Sequence, residues 1–492
     1  MLKRKGAALT AAGLAAVCIC LSSCGDVTTG GDDASMPTIT WYLRHEEQKD
    51  EDLVLEEINK ITQEKIGAKI NIKRIDSGSY AEKLKLAMSA NETFDLCHMA
   101  PRYDFYTHVS KGAFLPLDDL ITQYAPKTYE QIPDEFWEAA KVDGKLYGVL
   151  NYQIVGRQNG FVVQKSALEK YNFDLQSVKK LEDMEPFFKA VKENESANII
   201  SFANVNGTYG WALTHYVGFD SIASTSYPGV LLADAHDYKV VNQYETQQFM
   251  DFCKLMRDWY LKGYTPKDAA TMTNLSDLKL QGLIVSFIDN VAPGYDPQFA
   301  LQMGERPIES VVIDPPFVNT ENVIATMNCV SKTSKNPEKA LEFLDLMNTD
   351  ESGIYNLLCF GIEGVHYTKV ADNRIEKIDN SGYDPNAAWM FGNQFNAYLI
   401  PGQEDGLWEE TIELNNNATA SDLLGFSLNT EPIKIELAQC DAVVSEYLPS
   451  ITTGSVDPEE YIPQFLAKLK TANVDKIIEE EQRQIDEWRQ TR

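Results

Sequence analysis

The sequence predicts an α/β protein built around a parallel sheet. Between Pro37 and Met99, segments that alternate apolar and polar residues are interleaved with segments whose apolar residues recur at helical spacing. The connections between them are short, as in βαβ units, where a crossover helix joins parallel neighbours. With 44% apolar and 10% aromatic residues over 492 positions, the chain can bury a large core in two or three domains.

The elements follow in order. Met1-Leu2-Lys3-Arg4-Lys5 is cationic, and Ala7 to Leu21 is apolar, small-residue rich and uncharged. That is the length of a secretory signal and too short to span a bilayer comfortably. It closes on Leu21-Ser22-Ser23-Cys24, which resembles the bacterial lipobox, where the cysteine is acylated and becomes the new N-terminus. The alternative is a plain secretory signal with an incidental cysteine. Gly25 to Met36, rich in Gly, Asp, Thr and Ser, reads as a flexible tether. Thr38 to Leu43 is a first strand. Val54, Ile58 and Ile61 mark a helix stopped by Gly67. Ala68 to Ile75 is a second strand, Tyr80 to Ala90 a second helix, and Phe94 to Met99 a third, buried strand. Two extended segments, Gly144–Val149 and Gly160–Gln164, flank a polar stretch from Gln153 to Asn159. A mostly helical region runs to about Lys279, followed by strands at Gly282–Ile288 and Val311–Ile313, the latter ended by Pro315 and Pro316. Asn336-Pro337-Glu338 opens a helix with Leu341, Phe343 and Leu344 inward, and the tail from about Trp389 reads as long, helical and acidic.

Composition narrows the chemistry. The net charge is −29, and the leader carries Lys3, Arg4 and Lys5 without an acid, so the remainder is more negative still. Such a surface repels phosphate backbones and anionic lipid, so no nucleic-acid partner is expected. Cys97, Cys253, Cys329, Cys359 and Cys440 are scattered without a C-x-x-C, which argues against a disulfide framework or zinc ribbon. The six histidines are dispersed, Asp379-Asn380-Ser381-Gly382 lacks a calcium-loop ligand run, and no nucleophile elbow or phosphate loop occurs. No metal and no cofactor is expected. Among 73 acidic residues a pair of carboxylates arises by chance, so glycoside hydrolysis is not excluded by spacing, but binding without catalysis is the expectation.

The order of motifs resembles a known family. Trp41-Tyr42-Leu43, Glu82-Lys83-Leu84-Lys85-Leu86-Ala87-Met88, Phe94-Asp95-Leu96 and Lys111-Gly112-Ala113-Phe114-Leu115-Pro116-Leu117-Asp118 are similar to the first lobe of extracellular solute-binding lipoproteins of ABC importers, the family that includes maltose-binding protein. Ser331 to Ala340 with Phe343-Leu344, and Asn356 to Tyr367, resemble further stretches, and the tail resembles the Firmicute branch with a DUF3502-type C-terminal extension. The resemblance implies a type II periplasmic-binding-protein-like fold: two α/β lobes joined by a multi-stranded hinge, with the ligand in the cleft. It places 1–23 as signal, 24–36 as tether, 37–152 plus 314–348 as the first lobe, and 153–313 plus 349–492 as the second, including an extension from about 389. Crossings are expected near 151–160, 314–317 and 348–354. It implies a monomer held on the extracellular face of the cell membrane by lipid on Cys24, capturing an oligosaccharide and handing it to the transmembrane subunits of an ABC permease. A peptide or other small solute is the alternative ligand, and a secreted glycan-active hydrolase the alternative of another class.

A sugar presents apolar C–H faces and a rim of hydroxyls, so aromatic platforms beside carboxylates, amides and Arg are its natural partners. Ligands in open α/β sheets lie beyond the carboxyl ends of the strands. After the first strand this selects Arg44, with a surface ion pair as the other reading, while Trp41 reads as core. After the second it selects Asp76 and Tyr80, with a helix cap as the competing role for Asp76. By resemblance, the loop after the third strand offers Arg102, Tyr103 and Asp104. In the second lobe Asn206, Tyr209 and Trp211 occupy one polar–aromatic loop, and the resemblance points to Phe287, Asp289 and Asn290. Trp389 and Asn393 are placed to close the cleft from the tail. Trp137, Trp259, Trp408 and Trp488 read as packing or surface residues.

Overall fold

In the first strand, Thr38–Arg44, the alternating Ile39, Trp41 and Leu43 are fully buried. The computed structural model describes residues Met36–Gln490, so the signal, the Cys24 lipid site and most of the tether fall outside the described residues. The first strand pairs in parallel with Lys69–Ile75 on one side and Leu96–Met99 on the other. Helix Glu51–Ile66 makes the first crossover, burying Val54 and Ile58 and ending at Gly67 in the left-handed conformation (φ 62°). Helix Tyr80–Ser89 makes the second, burying Leu84 and Ala87. Two antiparallel strands complete the sheet: Met327–Val330 beside the third strand, then Val149–Leu150 at the edge.

These two added strands are where the chain leaves and re-enters this core. Beyond them a second antiparallel sheet has Asn159–Gln164 at its centre, between Ser286–Asn290 and Ile308–Val312. Gly160 is required there, because a Cβ would strike the Val311 carbonyl of the neighbouring strand. A separate apolar core forms around it, with Phe161, Phe188, Phe202, Trp259 and Phe249. Its aromatic rings meet mostly edge to face, as in Trp259 on Phe188 and Phe202.

The two cores are joined by a three-stranded strap. Arg157 and Phe317 exchange backbone hydrogen bonds of 2.8 Å, and Phe317–Val318 pairs in parallel with Thr419–Ala420. Two of these crossings coincide with the predicted positions near 151–160 and 314–317. The third does not. Ile354, Tyr355 and Leu358 of helix Ile354–Phe360, then Tyr383, Met390, Phe391 and Ala397, all pack into the first core. The expectation that 349–492 joins the second lobe is therefore corrected. The chain stays with the first lobe to Thr419–Ala420, and the neighbours Leu423 and Leu424 fall in the second and first cores respectively. The cause is a cluster that local sequence does not reveal. Arg74, buried on the second strand, donates to Glu51 at 2.5 Å and to the Tyr383 hydroxyl at 3.1 Å, tying the 383–391 segment to the first sheet.

The helical extension begins later than Trp389. Helices Lys434–Thr452, Pro458–Thr471 and Val474–Arg489 lay Val444, Ile451, Phe465, Leu469, Ile477 and Ile485 into the second core, the first two against helix Gln247–Lys262 and the last against those two helices and strand Gly229–Leu232. Among the described residues no helix is long and apolar enough to cross a membrane.

Candidate functional site

Two groups of side chains stand beyond strand ends, one on each lobe. In the second lobe, strand Ser286–Asn290 delivers Phe287 and Asp289, and the loop after Ala203 delivers Asn206, Gly207 and Thr208. The loop then enters a π-helical turn, Tyr209–Leu213, an irregularity that shifts side chains off the α-helical register and is frequent at functional sites. It carries Trp211 outward. This indole is 58% exposed, an unusual state for so large an apolar group. Its N–H donates to Asp289 Oδ1 at 3.1 Å, and the Arg157 guanidinium lies 4.3 Å from its ring centre. Trp211, Asp289, Phe287, Asn206, Thr208 and Lys279 line a depression of ≈ 260 Å³. Burial lowers the affinity of both Arg157 and Lys279 for their protons, with Asp289 opposing the effect in each case.

In the first lobe, His98 is the penultimate residue of the third strand and is fully buried. Tyr80, Tyr103 and Trp389 surround its ring, with the Trp389 centroid at 6.1 Å. Burial, then the charges of Arg102 and Arg44, push its pKa down to about 3, so the ring is neutral. Arg44, half-buried, ends the first strand, Arg102 is exposed, and the positive charge of each acts on His98. Arg102 also donates to the Tyr103 hydroxyl at 2.9 Å and lies over that ring.

The structure brings Asn206, Trp211, Phe287 and Asp289 together in one lobe, and Arg102, buried Tyr103 and Trp389 together beside His98 in the other, with Arg44 acting on that histidine through its charge. It gives the remaining candidates other work. Tyr80 is fully buried, its hydroxyl donating to the carbonyls of His98 and Tyr42, so it is a core residue. Tyr209 is buried with its hydroxyl on Gln243 Oε1, because the π-helical turn points it inward as Trp211 points out. Asp76 closes the turn before helix Tyr80–Ser89, whose N-cap is Ser79: its carboxylate accepts from the Gly78 and Ser79 amides, and a hydrogen bond with Glu46 lowers its pKa while raising that of Glu46. Asn290 is buried and accepts from the Gln158 amide. Asn393 is buried, accepting from the Phe395 amide and donating to Gln131, so it braces the chain instead of facing the cleft. Phe287 forms the wall of the depression, with the Lys279 ammonium 3.5 Å above its ring. Asp104 is exposed at the start of helix Phe105–Ser110 in the left-handed conformation (φ 59°), and acts electrostatically on His108. Arg157, Lys279, Thr208 and His98 were missed. The polar interruption at 153–159 was a usable signal for Arg157; a lysine ending a helical stretch and a histidine inside an apolar strand give none.

A larger cavity, ≈ 480 Å³, is lined by Gln48, Phe360, His366 and the 377–384 loop. All of these belong to the first lobe, so closure of two lobes cannot enclose a solute there. Its polar groups are also paired within the chain: Gln48 accepts from the Asp384 amide, and Lys377 pairs with the Asp384 carboxylate.

Residues 57–357 match the model of the bacterial extracellular solute-binding protein family, more than half of the chain. The chain belongs to that family. Residues 422–490 match a second model, the domain of unknown function DUF3502, and so correspond to the helical extension packed on the second core. A carbohydrate ABC transporter substrate-binding protein of Streptococcus pneumoniae serotype 4 is 28% identical over 98% of both chains. The crystal structure of the N-glycan transport solute-binding protein NgtS from Streptococcus pneumoniae superposes with a TM-score of 0.80 at 27% identity, covering 92% of this chain and 98% of that one. Its complex with Man5GlcNAc gives 0.64 at 28% identity, covering 93% and 99%. The solute-binding fold is two lobes around a cleft, and the members are binding proteins, not enzymes.

Proposed function

We propose that the chain is the lipid-anchored receptor of an ABC importer that captures an oligosaccharide between its lobes, with Trp211 as the principal sugar platform. The observation that carries this is the exposed indole fixed at the mouth of a polar depression. The ring supplies a face for pyranose C–H groups, while Asn206, Thr208, Lys279 and Asp289 supply donors and acceptors for hydroxyls. Arg44, Arg102, Tyr103 and Trp389 are the matching contacts from the first lobe. The glycan-binding relatives support mannose- and GlcNAc-containing oligosaccharides as the first ligands to test. The better match to NgtS described without a glycan (0.80) than to its Man5GlcNAc complex (0.64) is the pattern expected of an open form that closes on its ligand. The protein acts as a monomer, anchored through Cys24, which keeps it at high effective concentration beside its permease.

Calorimetry against Man5GlcNAc, Man1GlcNAc, mannan, xylan, milk-type and pectic oligosaccharides, with mass analysis of the glycans afterwards, tests the reading. Binding with every glycan recovered intact is expected. Tight binding of peptides with no glycan bound would overturn the ligand class, and glycan consumption would overturn the binding-only reading. A Cys24→Ala protein is expected to bind equally well but to leave the membrane fraction.

A further inference from the structure

Arg157 occupies two structures at once. Its backbone is part of the interlobe strap, exchanging both hydrogen bonds with Phe317. Its guanidinium lies over Trp211, 4.3 Å from the ring centre. Among the described residues it has no ion pair, although acidic residues outnumber Lys and Arg 73 to 44 in this chain. An arginine that is mostly withdrawn from water normally recovers the loss through carboxylates. Here the ring quadrupole shares that part with the charge of nearby Asp289, and the ring interaction strengthens as water is excluded.

The geometry around the indole is asymmetric. Arg157 covers it from the strap side and is not among the residues lining the depression, whereas Trp211 is. Asp289 fixes the indole edge through the N–H. The ring is thus held at two points, one on the strap and one on the second sheet, and remains exposed toward the depression. Trp211 sits on a one-turn π-helical segment, off the α-helical register, and these two contacts hold an indole that is otherwise largely exposed.

We propose that Arg157 is a positioning residue for the ligand platform, holding the Trp211 indole in its ligand-ready orientation and registering it to the interlobe strap. The proposal rests on the reading of Trp211 as a sugar platform only for its effect on affinity, and its effect on the indole can be measured without a ligand. Ordering the ring beforehand removes an entropic cost from binding.

The test uses the indole N–H resonances of the uniformly 15N-labelled protein, with that of Trp211 assigned by its loss in Trp211→Phe. Arg157→Gln and Arg157→Ala should shift and broaden the Trp211 resonance and leave those of buried Trp41, Trp137 and Trp259 in place, while Arg157→Lys should restore much of its sharpness. A Trp211 resonance unmoved in both Gln and Ala variants overturns the proposal, whether or not any glycan binds. Titration with Man5GlcNAc supplies the second readout. Arg157→Ala should weaken binding about tenfold in the wild-type background and less than twofold when Trp211 is already Ala, since coupled residues are non-additive. Equal losses in both backgrounds overturn it. If Man5GlcNAc does not bind the wild type at all, the glycan reading fails while the resonance test still decides the role of Arg157.

Discussion

The carboxyl group of Glu481 lies where a side chain on Gly229 would have to be. A Cβ on Gly229 would overlap its Oε2, and neither oxygen of Glu481 finds a hydrogen-bond partner among the described residues. The extension thus inserts a bare carboxyl into the second lobe, and burial pushes its pKa up to about 8. The sign follows directly. The folded protein keeps this proton to about pH 8, while the unfolded chain releases it near the ordinary value of 4.5. Stability therefore falls as pH rises between these limits, by on the order of 3 kcal/mol at pH 7 from this group alone. Glu481→Gln should raise Tm at pH 7.5, leave it nearly unchanged at pH 4.5 and flatten the slope between them, as read by thermal melts across that range.

Trp211 and Tyr209 are two residues apart and should respond in opposite ways. Trp211→Ala is expected to weaken glycan binding tenfold or more and to move Tm by no more than about 2 °C, because the ring is largely exposed. Tyr209→Phe breaks a 2.7 Å buried bond to Gln243 and should cost about 1 kcal/mol of stability with affinity unchanged. Paired denaturant melts and calorimetry on both variants separate the two roles.

Arg74 holds the 383–391 segment to the first sheet through Glu51, the Tyr383 hydroxyl and the faces of Tyr383 and Phe391. Arg74→Ala leaves a partly buried carboxylate without its cation, a change that costs about 3–5 kcal/mol. Urea melts should show the loss, and hydrogen exchange should show it concentrated around 383–391. Uniform exchange across both lobes would contradict this placement of the segment.

Cys97, Cys253, Cys329, Cys359 and Cys440 are all free and buried. Burial raises the pKa of each thiol, that of Cys440 to about 11, so none offers a reactive thiolate near neutrality. Protein prepared without the leader and Cys24 should react negligibly with Ellman's reagent when folded and release five equivalents in denaturant.

The sequence makes the first sheet readable because its elements pack against near neighbours, and period and burial coincide in Ile39, Trp41 and Leu43. The second sheet is legible at Pro315-Pro316, where the ladder must end. The route of 349–420 is not readable, because it depends on Arg74 meeting Tyr383 across more than three hundred positions. The candidate site divides the same way. Aromatic-plus-amide loops identify the neighbourhood of Trp211 and Asp289. Whether Tyr209 or Trp211 faces outward depends on a π-helical turn that no α-helical period describes. Tyr80 follows a strand end and Asn393 lies in a tail junction, positions that suit a cleft, but backbone carbonyls and amides claim both side chains.

The strap of 157, 317–318 and 419–420 sets how the two lobes approach. A single connection would leave them free to swivel, and each encounter would have to search for the right facing. Under the closure proposed above, side-by-side connections restrain that swivelling as Trp211 is carried toward the first lobe. On the proposed reading, a glycan longer than the cleft would leave by its open ends, and the strap would bear on which of its sugars are gripped.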